Sequence, residues 1–134
     1  ENRLAHFIAP LREAGCRVSI FIAADATQIA SAHRIGAQVI ELHTGAYCDL
    51  HAEGRIEERD TELERLRAMA TYAHELGLEV HAGHGLTYET IKPIAALPEV
   101  VEVNIGHFLI GEAIFLGLQP AISEMRRFMD EARA

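Results

Sequence analysis

Strand-like apolar runs recur along this chain with a helical stretch between each and the next, and that alternation constrains the fold more than any other feature. The runs are Arg17-Val-Ser-Ile-Phe-Ile-Ala23, Gln38-Val-Ile-Glu-Leu-His43, Leu78-Glu-Val-His81 and Val100-Val-Glu-Val103. The first is β-branched and almost uninterrupted, which predicts a strand buried on both faces. Between them lie helical patterns. Asn2 to Ala14 carries Leu4, Phe7, Ile8 and Leu11 at helical spacing and closes at Gly15, with Pro10 expected to kink it. Asp25 with Gln28 resembles a capping box for a helix ending at Gly36. Residues 45–60 read as a polar loop. Thr61 with Glu64 forms a second capping box, and Leu63, Leu66, Met69, Ala73 and Leu76 follow at helical spacing until Gly77. Thr87 is expected to cap a helix to about Leu97, bent at Pro93. A short helix from Phe108 to Leu116 precedes Gly117. Pro120 then opens a last helix whose buried face is read as Ile122, Met125 and Met129.

Four such units imply parallel βα connections, in an open doubly wound sheet or in part of a (β/α)8 barrel. A barrel takes about 250 residues, so 134 residues make half of one. The short helix after the last strand decides between them. Barrels commonly bind phosphate with the loops after strands seven and eight and the N-terminus of a short extra helix. The Gly83–Gly85 corner, the segment Asn104–His107 and the helix at Phe108 fit that plan. The reading is therefore α/β, the C-terminal half of a (β/α)8 TIM barrel with strands five to eight, in a single region over residues 1–134.

The apolar content of 49% suffices for a core, and the formal charge of −8 argues against nucleic acid and anionic membrane as partners. No apolar run approaches the roughly 18 residues of a membrane span, and no signal peptide is recognised. Cys16 and Cys48, without metal spacing, predict a reduced, cytoplasmic protein. Glu1 in place of methionine is read as not a native start.

The candidate chemistry lies at strand ends. In Val80-His-Ala-Gly-His-Gly-Leu86, glycine flanks His84 on both sides, so the backbone can bend sharply and present imidazole and amides to one pocket. Val103-Asn-Ile-Gly-His-Phe108 repeats the theme, and Gly106 permits the close backbone approach that an anion requires. His107 either contacts phosphate or simply begins the short helix. Glu41 and His43 share one face of their strand; Glu41 is either functional, an edge position, or a structural partner of a histidine. His81 is read as a strand residue bonded to the backbone. A metal reading using Glu41, His43, His81, His84 and His107 is weak, because no ligand spacing fixes a geometry. His6, His33, His51, His74, Arg126 and Arg127 are read as surface residues.

Taken together, Ile40-Glu-Leu-His-Thr-Gly45, His81-Ala-Gly-His-Gly-Leu-Thr87 and Val103-Asn-Ile-Gly-His107 resemble the pyridoxine 5'-phosphate synthase family. The resemblance runs in order through the whole chain. It implies a (β/α)8 barrel, typically octameric, of which this chain matches strands five to eight. It also implies condensation of 1-deoxy-D-xylulose 5-phosphate with 3-amino-2-oxopropyl phosphate, releasing phosphate and water without metal or organic cofactor. On that resemblance His84 is the general acid, Gly85, Gly106 and His107 hold the amino-ketone phosphate, and Glu41 is a carboxylate suited to proton relay.

Two departures stand out. The family commonly has asparagine at the position of His81. The N-terminal half, with its own histidine and glutamate bases, is absent, which leaves two strand edges unpaired and an inner face open to drive self-association. The alternatives are a metal-dependent barrel hydrolase or epimerase using Glu41, His43, His84 and His107, and a half-barrel scaffold without catalysis.

Overall fold

The strands form one parallel sheet in the order β1 (Ser19–Ile22), β2 (Val39–His43), β3 (Glu79–Gly83) and β4 (Val100–Asn104). Each strand lies beside its predecessor. A doubly wound sheet reverses its order at a switch point, whereas a barrel adds strands in sequence; the topology here is that of half a barrel. This computed structural model describes residues 2–134. Glu1, read above as not a native start, lies outside them.

Helices α1 (Asn2–Glu13), α2 (Ala26–Arg34), α4 (Ile56–Glu75), α5 (Ile91–Ala95) and α7 (Leu118–Glu131) belong to the alternating pattern. Two further helices, α3 (Gly45–Ala52) and α6 (His107–Leu116), follow β2 and β4 directly. The capping reading at Asp25 holds, since its carboxylate accepts the Gln28 N–H at 2.9 Å. Gly36 ends that helix with φ +88°, a conformation that costs glycine nothing.

The core lies between the sheet and its helices. Ile40, Leu42, Val80 and Ala82 on the strands meet Ile29, Leu66, Ala70, Ala73, Ile91, Ile94 and Met125. Each large aliphatic side chain here contributes about 1.5–3 kcal/mol through burial. Ala70 and Ala73 let α4 approach the sheet closely. Arg133 ties the chain end to the start of β4 by donating to the carbonyls of Ala95 (2.7 Å), Leu97 (3.1 Å) and Val100.

Several expectations are corrected. The first strand is not buried on both faces: β1 is an edge strand, and Phe21 is half exposed. Leu4, Phe7 and Leu11 of α1 are exposed as well. Residues 45–60 are not a polar loop but α3 and the start of α4. Thr61 lies inside α4, where its hydroxyl donates to the Glu57 carbonyl at 2.9 Å, so it caps nothing. The helix expected from Thr87 starts only at Ile91, because Thr90 Oγ1 takes the Thr87 N–H at 2.8 Å and holds a turn. Ile122 is exposed, while Met125 is buried.

The inner face also differs from expectation. It carries Phe21, Glu41, His81 and Glu102 in one register row and His43, Gly83 and Asn104 in the next. Apart from Phe21, these two rows carry polar side chains and glycine rather than a continuous apolar layer. Exposed apolar groups include Phe21 on this face, Val101 on β4, and others on α1 and on α6 at Ile110, Ile114 and Phe115.

Candidate active site

The C-terminal ends of β2, β3 and β4 open into a cavity of about 430 Å³ lined by Phe21, Glu41, His84 to Thr87 and Asn104 to Phe108. All five residues singled out in the sequence (Glu41, His84, Gly85, Gly106 and His107) line it. Three strand ends and the start of α6 therefore converge on one volume, at the end of the sheet where (β/α)8 enzymes carry their chemistry.

Glu41 projects over Gly83. A Cβ at Gly83 would come within 2.1 Å of Glu41 Oε1 and 2.9 Å of the Asn104 carbonyl, so glycine is what leaves room for the carboxylate. Asn104 Nδ2 donates to Glu41 Oε2 at 3.0 Å and orients it. Of the readings left open for Glu41, pairing with a histidine is replaced by pairing with this amide.

His84 follows β3 with φ +81°, an unfavourable conformation for a residue with a side chain. It is maintained by Thr44, the residue just before α3. The single Thr44 hydroxyl proton is shared between the carbonyls of Gly83 (2.7 Å) and His84 (2.6 Å), and the Thr44 N–H donates to Gly83 at 2.8 Å. The imidazole of His84 is exposed and stacks on His43, with ring centroids 4.6 Å apart and planes at 27°. Cys48, buried beneath, has its thiol pushed up by desolvation, which keeps it protonated and unreactive near neutral pH.

The two glycine corners do different work. Gly85 has φ +79°, and a Cβ there would lie 3.0 Å from Cys48 Cβ, so the fold itself requires it. Gly106 has no positive φ, and a Cβ there would meet nothing within 4 Å. It is the N-cap of α6, and no side chain caps that helix. The first amides of α6 thus keep their donors for whatever enters the cavity.

His81 is three residues from His84 and outside this cavity. It is 5% exposed, with Nε2 2.7 Å from Glu79 Oε1 and Nδ1 3.2 Å from Glu102 Oε1. The expected backbone bond is replaced by two carboxylates, although the structural role stands. Arg17 pairs with Glu79 from the adjoining end of β1. The Glu79 carboxyl is held below the usual range, chiefly by the His81 hydrogen bond and then by the charge of Arg17.

Residues that the sequence reading undervalued are Asn104, Gly83, Thr44 and Gly45. Only the register pairing Gly83 with both His43 and Asn104 brings them together. Among the described residues, no three His, Cys, Asp or Glu side chains are grouped to hold a metal ion. The set Glu41, His43, His84 and His107 therefore lacks the assembly that the metal-dependent alternative needs.

The family model described as pyridoxal phosphate biosynthesis protein PdxJ matches residues 1–131. The chain belongs to the PdxJ family. Pyridoxine 5'-phosphate synthases of Ruegeria pomeroyi and Roseobacter denitrificans are each 78% identical to it over 134 residues. That of Jannaschia sp. is 67% identical over 133 residues. The matches cover all or nearly all of this chain but 54% of each relative. This PdxJ-family chain therefore spans about half the length of the curated relatives it matches, in keeping with its half-barrel topology. No helix among the described residues is long and apolar enough to cross a membrane.

Proposed function

We propose that this chain is the proton-donating and phosphate-holding half of a pyridoxine 5'-phosphate synthase. The observation that carries the reading is the convergence of Glu41, His84, Gly85, Gly106 and His107 on one cavity beside an uncapped helix start. Imine formation between the amine of 3-amino-2-oxopropyl phosphate and the ketone of 1-deoxy-D-xylulose 5-phosphate expels water. Later dehydration and aromatisation each move further protons. On this reading His84 donates to the departing oxygen, and Glu41, steadied by Asn104, relays protons across the strand ends. The α6 amides with Gly85, Gly106 and His107 hold the amino-ketone phosphate, with no metal or organic cofactor required. The bases expected on the N-terminal half complete the pocket.

A cytoplasmic homo-oligomer, octameric on the family resemblance, belongs to the same reading. Free Cys16 and Cys48 and the exposed apolar side of α6 support it. The decisive assay supplies both phosphates to the full-length protein and to this chain alone. Product and inorganic phosphate should appear only with the N-terminal half present. Robust product from the isolated, monomeric chain, or none from the full-length protein, overturns the reading.

A further inference from the structure

The synthase reading makes His84 the proton donor, yet His84 is an exposed side chain on a strained backbone, and nothing in that role explains what holds its ring. We propose that His43 is the positioning residue for His84, its imidazole being a fixed platform on which the His84 ring lies. The kinetic consequence rests on the synthase reading; the geometry does not.

The platform is locked from below. The Gly45 N–H donates to His43 Nδ1 at 3.0 Å. An amide nitrogen can only donate, so Nδ1 is the acceptor and the ring proton of neutral His43 sits on Nε2. Flipping the ring would leave the first amide of α3 unpaired. Phe21 adds a second contact, 5.0 Å from the His43 centroid and 6.3 Å from that of His84.

Space has been cleared for the stack. A Cβ at Gly45 would lie 2.3 Å from His43 Cε1, 3.0 Å from His43 Nδ1 and 3.0 Å from His84 Cδ2. Only glycine lets the two imidazoles and the start of α3 occupy this volume together. His43, Thr44 and Gly45 thus serve His84 in turn: one supports its ring, the next holds its carbonyl, and the third leaves the room. His43 is absent from the cavity lining, so it acts through His84 and not on substrate.

The test separates ring from acceptor in the full-length protein. In His43→Asn, the amide oxygen can still take the Gly45 N–H, but the ring is gone. In His43→Phe, a ring face remains without the acceptor. Misplacing a reacting group by about an ångström costs on the order of a hundredfold. His43→Asn should therefore lower kcat about ten- to a hundredfold with KM nearly unchanged, and His43→Phe should recover part of the loss. Gly45→Ala should reduce kcat strongly in the wild type and little in a His43→Ala background, a non-additivity expected only if both act on one geometry.

Imidazole NMR reads the same claim without activity. Wild-type protein should show cross-relaxation between the two rings and an unprotonated His43 Nδ1, and His43→Asn should broaden the His84 ring signals. Absent cross-relaxation overturns the proposal, even if a variant fails to fold. So does a raised KM with kcat intact, or His43→Phe no better than His43→Asn. If wild-type protein makes no product, the synthase reading falls and the NMR result still decides the positioning claim.

Discussion

The two ends of the inner sheet face carry histidines three residues apart, and they are built in opposite ways. At the lower end His81 is buried, with a carboxylate against each ring nitrogen and Arg17 completing the network. At the upper end His84 is exposed, sits on a left-handed backbone and lines a cavity. Saturated charge networks fix a fold, because each member already has its partner. A side chain held in strain beside open space has capacity left for a ligand. The difference separates an imidazole already satisfied by carboxylates from one left facing a cavity within a single motif.

The largest effect that would break this contrast is kinetic. In the full-length protein His84→Asn should keep the fold and lower turnover by about two to four powers of ten, the usual worth of a positioned acid or base. Steady-state assays with both phosphates check it, and near-normal turnover in folded protein would place His84 with His81.

Gly83→Ala comes next. Its methyl would displace Glu41 and crowd the Asn104 carbonyl, so kcat should fall about tenfold or more. An unchanged rate would remove Glu41 from the chemistry. Gly106→Val should weaken phosphate-ester binding without lowering the thermal midpoint, since its side chain meets nothing in the fold. Calorimetric titration with either substrate checks it, and equal affinity would move the anion site elsewhere.

At the lower end the readout is stability. His81→Leu should lower the thermal midpoint by leaving Glu79 and Glu102 without their shared partner, while turnover holds.

The smallest effect is its pH dependence. The Glu79 carboxyl is depressed on folding, so its contribution is present above the ordinary value of 4.5 and is lost as pH falls through the lower folded value. Wild type should therefore lose more stability than His81→Leu on acidification below about pH 4.5. Parallel melting curves from pH 6 to 3 would contradict the role given to His81.

Much of the site was legible because its residues are local in sequence. Gly83, His84 and Gly85 form one corner, and Gly106 and His107 another, and a glycine-flanked histidine at a strand end is recognisable from adjacent residues alone. The roles of Asn104, Gly45 and Thr44 were not legible. Each acts across the sheet or against a ring from another loop, and such partners are set by strand register, which periodicity does not reveal.

The alternation of strands and helices, the caps at Asp25 and Gly36, and the candidate corners follow from the sequence alone, because propensity, period and turn chemistry are short-range. The tertiary structure decided the rest. It placed β1 at an edge, since burial depends on neighbours the strand does not encode. It turned residues 45–60 into helix, because Tyr47 and Cys48 bury against the core where composition alone reads polar. And it assigned His81 to a charge network and His84 to a cavity, because only the register of Glu79, Glu102, His43 and Gly45 around them determines which imidazole is already satisfied.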